Sequence, residues 1–398
     1  MMFLKKINHK TMKLETLQKK SKDEFKEKGF PTKKHENWLY WTPDTDHETL
    51  EKSYYEKSDT ITESEVVVIK NGSLQSKPTI AGLSITNDIT QCSNESLQFN
   101  LESSSLSYLN SACSNEVITI RCSAEIKEPL TILITSDHSE ESVTVNSKIN
   151  IIVEENCTLT TSLYHQKQGS DTTLTNTSFE LICKDNTNVN VNHIFKDNAS
   201  KAFFNAIIHM NENSNCNHIT YVANALLTRH DTNVTFYKEK ATLNLKGVSV
   251  LAGEEQFYNH LTINHESKNC FCKQHFKTIL DDKAIAEFSG LVYVAKGSHE
   301  VDSQQMNQIL LFSDAARALS RPQLKIDADD VQCAHGSTIG QLNPEEVHYI
   351  KSRGLTESEA KALLTYGFAE EIIEEITDEK LKSELVIDIK DVVSKIKS

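Results

Sequence analysis

The sequence predicts a mainly β protein, and the pattern after residue 115 favours a β-solenoid. Short runs such as Val117–Arg121 and Leu130–Ile134 alternate apolar and polar side chains, which is typical of strands with one buried face. An irregular repeat with two or three strands per period indicates stacked coils that bury their apolar faces against each other. A β-sandwich with accidental repeats is the alternative from the residues alone. The repeated segments centre on Cys157, Val189, Cys216, Ala241 and Cys270, which are spaced by 32, 27, 25 and 29 residues.

Asparagine recurs at equivalent places in these segments. Asn188 and Asn190 flank Val189, and Asn215 and Asn217 flank Cys216 in the same way. Side-chain amides stacked above one another can hydrogen-bond along the axis of such a stack. We therefore expect asparagine ladders along the coils.

Helical and irregular segments precede the repeats. Residues 13–28 are rich in Lys, Glu and Leu, which predicts a helix that ends at Gly29. Trp38, Tyr40 and Trp41 form an aromatic cluster that is typical of core or interface packing. The other segments are predicted to be a loop or weak helix at 44–64, a buried strand at 66–69 followed by a turn, and a helix at 95–112.

The last part of the chain is predicted to be helical. Asn343 and Pro344 fit an N-cap and a first-turn proline, and Gly354 fits the end of that helix. Thr356 opens a capping box before a second helix, and a third is predicted over 385–396. We expect these helices to cover the open end of the solenoid, where strand edges are exposed. The predicted domains are a mostly helical region with a short strand segment at 1–114, a β core at 115–342 and a helical domain at 343–398.

Composition and charge exclude several classes of protein. The net charge of −14 makes nucleic acid an unexpected partner. Residues 1–40 carry eleven Lys against five acidic residues, which we interpret as a solvated helix face rather than a membrane anchor. The sequence contains no run of about 18 apolar residues and no secretory signal pattern, so we expect no membrane span and no export. The nine cysteines form no Cys-x-x-Cys pair, which fits a reducing cytoplasm.

Two short strands near residue 330 carry the most distinctive pattern. Leu324 and Ile326 alternate with polar neighbours, and Asp329-Asp330 then predicts a corner. Cys333 and His335 share one face of the next strand, because side chains two apart point the same way. A thiol and an imidazole on a rigid strand can hold a soft metal ion. The alternative is a small core cysteine beside a satisfied surface histidine.

A second Cys/His group lies upstream. Cys270 and Cys272 would share one strand face, with His275 nearby, and one interpretation of this group is a metal site. We favour two small core residues, because no second Cys/His pair completes a tetrahedral set.

Signatures of common enzymes are missing from the sequence. It contains no phosphate-binding Gly-x4-Gly-Lys-Ser/Thr loop, no Gly-x-Ser-x-Gly elbow and no His-Glu-x-x-His helix. We therefore expect a non-catalytic scaffold. The alternative is a β-helix enzyme acting on carbohydrate through Asp329 and Asp330. Adjacent strand residues point to opposite faces, which argues against that pair sharing one substrate.

The pattern near residue 330 closely resembles the SufB/SufD family of SUF iron–sulfur cluster assembly scaffolds. The resemblance is carried by Ala328–Val331 and Cys333–Gly340, with support upstream from Gln308–Asp314. It continues downstream in Tyr349–Gly354, and a further island near the start covers Gly29–Glu36. The middle of the chain resembles the family only loosely.

Within the family, the SufD branch fits best. Gly336 follows His335 as in SufD, where SufB-like chains tend to carry Glu. The scaffold cysteine of SufB falls near Met306–Gln308, where this chain has no Cys. The resemblance implies a right-handed parallel β-helix; the helical regions at both ends and the location in the cytoplasm are the predictions made above from the residues.

The resemblance also implies partners and site residues. It implies pairing with a SufB-like paralogue and binding of SufC-type ATPase subunits, with a homodimer possible for the isolated chain. It implies no stably bound cofactor on the chain alone, and a transient iron–sulfur cluster or iron at the SufB–SufD interface. His335 matches the SufD histidine that faces this interface, with Cys333 beside it. The C-terminal helices would bind the ATPase through Tyr349, Arg353, Gly354 and Phe368, while His260 and His265, which resemble a family histidine motif, are candidates for ligand or proton roles near the lateral surface.

Overall fold

The computed structural model describes residues 14–35, 38–39, 52–87, 105–137, 143–167 and 174–395. The chain is mainly β and winds into a solenoid of about seven turns, with helices at both ends, which confirms the predicted fold class. The helices are α1 Leu14–Lys28, α2 Ser105–Cys113, α3 Pro344–Ser352, α4 Glu357–Ile373 and α5 Glu379–Lys395. The strands are β1 Ser53–Tyr54, β2 Thr62–Glu63, β3 Val67–Lys70, β4 Ser73–Lys77, β5 Leu83–Thr86, β6 Ile118–Cys122, β7 Leu130–Ser136, β8 Thr144–Val153, β9 Thr158–Lys167, β10 Leu174–Cys183, β11 Asn188–Met210, β12 Asn215–Phe236, β13 Thr242–Leu251, β14 Gln256–His265, β15 Phe271–Leu280, β16 Ile285–Val294, β17 Asp302–Leu311, β18 Arg317–Ile326 and β19 Gln332–Gly340.

Parallel pairing arranges the coils in two stacks. Stack A contains β8, β10, the second half of β11, the second half of β12, β14, β16 and β18. Stack B contains β7, β9, the first half of β11, the first half of β12, β13, β15, β17 and β19. Each coil of stack B lies 27 to 31 residues after the coil before it. A single coil could not bury its own apolar face, so neighbouring coils share the core.

The register corrects the repeat that the sequence predicted. Leu159, Val189, Cys216, Leu243 and Cys272 occupy one column of stack B. The predicted series instead mixed this column with the positions two residues earlier, at 157, 241 and 270. Positions two apart on a strand face the same way, so both columns point into the core and look alike in sequence.

Asparagine ladders run along the corners of the coils, as predicted. Asn156, Asn186 and Asn213 each lie third in successive turns, in the left-handed region, with φ of 59°, 59° and 52°. Asparagine tolerates this region better than most residues. Asn186 Nδ2 donates to Asn156 Oδ1 at 3.2 Å, and Asn213 Nδ2 donates to Asn186 Oδ1 at 2.9 Å. The side chain therefore stabilises both the turn and the stacking of coils.

A second ladder lies on the outer face of stack B. Asn217 Nδ2 donates to Asn190 Oδ1, and Asn244 Nδ2 donates to Asn217 Oδ1, both at 2.9 Å. Its register follows the pairing of β11 with β12 and of β12 with β13.

Helix α2 packs on the outer face of stack A, and α1 packs on α2. Leu106 of α2 and Trp38 join Phe203 and Tyr258 of the solenoid in one apolar cluster. The Trp38 ring also lies 3.5 Å from the guanidinium carbon of the buried Arg229. Trp38 therefore packs as predicted, whereas Tyr40 and Trp41 lie outside the described residues. Within 44–64, the described residues 52–64 are mostly loop, one of the two predicted alternatives, with the two-residue strands β1 and β2 and no helix.

The C-terminal helices pack on the side of the solenoid, so the expectation that they cover its open end is wrong. The outer face of stack B carries apolar side chains where most solenoid exteriors are polar. Ile219, Val248 and Ile279 pack there against Ile372 of α4 and Ile389 of α5. An apolar stripe on a helix requires an apolar partner, and this face provides one.

Charged groups reinforce this seam. The ammonium of Lys246 pairs with Glu375, and that of Lys277 pairs with Glu371. Tyr221 Oη donates to Asp388 at 2.6 Å. Both lysine side chains are almost fully buried, so their ion pairs fix where α4 lies. None of the described helices is both long enough and apolar enough to cross a bilayer.

Candidate functional site

The end of the solenoid formed by β18 and β19 is uncovered among the described residues. β18 pairs with β16, and β19 pairs with β17, but no described strand follows them. Ile326 and Ile339 continue the inward columns of Val294 and Ile309, yet they are 40% and 46% exposed. The core is therefore cut open at this end, which exposes unpaired strand edges and apolar side chains together.

Cys333 and His335 lie on this open end. Both point to the inner side of β19, in register with Ser303 and Gln305 of the preceding coil. Cys333 is half-buried against the core, and burial raises the pKa of its thiol. His335 is exposed because none of the described residues forms a coil above it. The predicted pair thus shares one strand face, with its imidazole open to the surroundings.

A polar network below His335 links the two last strands across the coil. Ser337 Oγ donates to Ser320 Oγ at 2.7 Å, and Asn307 Nδ2 donates to the same oxygen at 2.9 Å. In the neighbouring column, Gln305 Nε2 donates to Gln274 Oε1 at 2.8 Å. The interior is therefore polar at this end, although most of the solenoid core is apolar.

Sequence reasoning missed this network. The signal that could have found it is the spacing of 31 and 30 residues from Gln274 to Gln305 and from Gln305 to His335, which equals the local coil length.

Cys270 and Cys272 belong to the core, as favoured. Both are buried, and burial raises the pKa of Cys270 to about 11 and that of Cys272 to about 12. His275 lies one residue out of phase with them, on the outer face of stack B. There it contacts Gln308 Oε1 at 2.9 Å. In the part of the chain that the structure describes, no group of three or more His, Cys, Asp or Glu side chains could hold a metal ion.

His260 and His265 lie on opposite faces of β14. His260 is on the outer side of stack A but is buried, with Nε2 at 3.5 Å from Glu287 Oε1. His265 points into the core and stacks on Phe236 with ring centroids 4.4 Å apart. Burial lowers the pKa of His265 to about 4, so this ring is neutral at physiological pH. Neither ring is exposed at the lateral surface, so that prediction from the sequence is wrong.

Three of the four predicted docking residues lie together on α3 and its end. Tyr349 is 56% exposed, and Arg353 Nη2 donates to its hydroxyl at 2.9 Å. Gly354 ends the helix with φ of 101°, and its N–H bonds Lys351 O. Phe368 is apart from them: its ring lies 4.7 Å from Lys277 Nζ, in the seam with the solenoid.

A groove of about 380 Å³ lies between α3, the start of α4 and the end of β17. The ion pair between Lys351 and Glu357, at 2.8 Å, joins the two helices across it. The groove is lined by Leu311, Phe312, Gln341, Leu342, Pro344, Val347, His348, Lys351, Glu357 and Lys361.

Asp329 and Asp330 form the corner before β19. Asp330 has a φ of 53°, and its carbonyl accepts the N–H of Glu300 at 2.8 Å. Asp329 O is 2.9 Å from His299 Nδ1. These contacts give the pair a role in the turn.

Comparisons with known proteins identify the family of this chain. The family model described as SUF system FeS cluster assembly, SufBD core domain, matches residues 134–368, more than half of the chain. The iron–sulfur cluster assembly protein SufD of Escherichia coli is 33% identical over 42% of this chain and 40% of its own length. A SufBD family protein of Synechocystis is 30% identical over 68% of this chain and 61% of its own length. SufD of Bacillus subtilis is 32% identical over 27% of this chain and 25% of its own length. The chain thus spans between a quarter and about three fifths of these relatives.

The fold and the matched region define a β-solenoid protein of the SufBD core type. The chain belongs to the SufB/SufD family of the SUF iron–sulfur cluster assembly system, in its SufD branch.

Proposed function

We propose that this chain is a non-catalytic scaffold subunit of SUF iron–sulfur cluster assembly. It pairs through its open end with a SufB-like paralogue and binds SufC-type ATPase subunits through α3. The observation that carries the proposal is the uncovered end of the solenoid, because a monomer does not ordinarily expose a cut core and free strand edges.

The open end suits a partner that is itself a solenoid. β18 and β19 each offer one edge that no described strand pairs with, and strand addition at such an edge supplies main-chain hydrogen bonds. Ile326 and Ile339 add exposed apolar area to the same surface. A second β-solenoid with its own open end matches both features.

His335 is the candidate group for cluster assembly at this interface. The nascent cluster is the cargo of the complex, and imidazole and thiolate are both common ligands of iron. His335 is exposed on the surface that the partner would cover, whereas Cys333 is half-buried below it. We assign the ligand role to His335 first and a lesser role to Cys333.

His335→Ala tests the ligand role. The complex is co-expressed with its paralogue and ATPase, reconstituted anaerobically and assayed for iron and acid-labile sulfide. We expect normal complex formation and a large loss of cluster. Gln332→Ala, on the opposite face of β19, is the matched control and keeps the cluster. Normal cluster content in the His335 variant would refute the ligand role.

Ile339→Asp tests the interface. A carboxylate placed in an apolar contact must be desolvated, so we expect the paralogue to be lost in co-purification. Thr338→Asp, on the outer face of the same strand, adds the same charge without entering the contact. Equal retention of the paralogue by both variants contradicts docking at this end.

Tyr349→Ala tests docking of the ATPase. Deleting residues 344–398 is a poor test, because it would expose the apolar face of stack B and cause aggregation. Tyr349 is exposed, so its removal leaves the fold intact, and we expect weaker pull-down of the ATPase. Ile387→Ala on α5, where this side chain is 70% exposed, is the control. Loss of binding in the Ile387 variant alone would place the docking site on α5.

A further inference from the structure

The interior of the solenoid contains a column of side chains that leads to His335. Gln274, Gln305 and His335 hold equivalent positions on β15, β17 and β19. The side chains of Gln274 and Gln305 are 1% and 2% exposed. Gln305 Oε1 has no hydrogen-bond partner among the described residues, although its Nε2 donates to Gln274. An unpaired buried carbonyl oxygen is destabilising, so this position favours a donor from the next coil.

The amide ladders of the molecule share one direction. In each of them the side-chain NH₂ group of the later coil donates to the side-chain carbonyl oxygen of the earlier coil. Gln305 donates to Gln274 in the same sense. By the same pattern, the Gln305 oxygen would accept a hydrogen bond from β19, where the residue in register is His335. The other rungs with this direction are Asn176 to Asn146, Asn186 to Asn156, Asn213 to Asn186, Asn215 to Asn188, Asn217 to Asn190, Asn244 to Asn217 and Asn264 to Asn233.

A glycine on the facing stack makes room for this carboxamide. A Cβ at Gly290 of β16 would overlap Gln305 Nε2 and approach Phe288. The side chain of Gln305 thus extends across the coil into space that only glycine leaves free. Its position is fixed from two sides, by Gln274 below and by Gly290 opposite.

We propose that Gln305 is a positioning residue for His335. Its Oε1 accepts a hydrogen bond from one ring N–H of the neutral imidazole. The other ring nitrogen of His335 then keeps its lone pair and points away from the core, toward the surface that the paralogue covers. Histidine ligands in metal sites commonly gain their orientation and tautomer from such a second contact. The inference rests on the proposed role of His335 as a cluster ligand, but the hydrogen bond itself is testable without any cluster.

The test measures the tautomer of His335 in the full-length chain. Histidine is labelled with ¹⁵N, the signals of neutral rings are recorded by long-range ¹H–¹⁵N correlation, and His335→Gln identifies the signal of this ring. Gln305→Met keeps the length of the side chain but removes the acceptor. We expect the tautomer ratio to change roughly two- to tenfold, the factor that one hydrogen bond of ordinary net strength provides.

One variant serves as the control. Gln304→Met changes the adjacent, outward-facing glutamine and is expected to leave the ratio unchanged. A purely structural role of Gln305 would alter stability without moving the tautomer ratio. An unchanged ratio in Gln305→Met would therefore overturn the proposal.

Cluster loading separates this inference from the proposed function. In the reconstituted complex we expect Gln305→Met to lower iron content. If the tautomer responds to Gln305→Met while His335→Ala loads iron normally, the positioning contact stands and the ligand role of His335 fails. If His335→Ala abolishes iron loading while Gln305→Met leaves the tautomer ratio unchanged, the ligand role of His335 stands and the positioning contact fails.

Discussion

Acid should destabilise this solenoid because several histidines are buried in its core without charge. His218 points inward between Val191 and Leu245, and neither ring nitrogen has a partner among the described residues. Burial lowers its pKa to about 4, and burial also lowers the pKa of His165 to about 3. The unfolded histidine has a pKa of about 6.5.

Proton binding decides the direction in which stability changes with pH. A histidine whose pKa is lower in the folded chain binds its proton more readily when unfolded, so acid favours unfolding. The stability is intact above pH 6.5 and is lost as the pH falls from 6.5 toward 4. For His218, the loss between pH 7.5 and pH 5.5 is about 1.3 kcal/mol, since the unfolded ring is roughly 90% protonated at the lower pH and the folded ring is not.

The assay is urea unfolding of wild type and His218→Leu at both pH values. Leucine suits the column, where Val191 and Leu245 are the neighbours, and it cannot titrate. We expect the variant to lose about 1.3 kcal/mol less than wild type on acidification. The variant must be compared with wild type because Glu255 titrates in the same pH range. Burial raises the pKa of Glu255 to about 7, so its contribution to stability grows as the pH falls.

The control is His348→Gln, which alters an exposed histidine on α3 and should leave the pH dependence as in wild type. If His218→Leu and wild type lose the same stability on acidification, the ring of His218 is hydrated or partnered in solution, and the reasoning is refuted.

Three further predictions concern stability. Asn217→Ala breaks two ladder bonds and should cost about 1–3 kcal/mol in urea unfolding, whereas Asn244→Ala breaks one and should cost about half as much. Ile372→Ala should lower the free energy of unfolding by about 2–5 kcal/mol and loosen α4 from stack B, which would appear as faster proteolysis after residue 342. An unchanged cleavage rate would contradict the packing of α4 on stack B. Glu375→Gln leaves Lys246 buried and unpaired, so it should destabilise more than the double change with Lys246→Met, and the reverse order in unfolding would argue against a desolvated lysine.

The sequence alone determined the features that depend on local spacing. Alternation predicted the strands, and repeated Asn predicted ladders such as Asn190 to Asn217. Cap residues such as Thr356 predicted where helices begin, because a side chain that caps a helix acts within three residues of itself. The shared face of Cys333 and His335 followed from a period of two.

Tertiary structure decided which surfaces meet. The stripe on α4 shows that the helix is buried, but not against what. Only the fold reveals that Val248 and Ile279 form an apolar outer face, which holds α4 and α5 at the side and leaves the end uncovered by the residues that the structure describes. The sequence also left the register of the coils ambiguous by two residues. Positions two apart on a strand both face the core, so alternation alone cannot tell which of them is aligned with the next coil. Coils of unequal length decide which Gln lies beneath His335, and only the pairing of β17 with β19 fixes that choice.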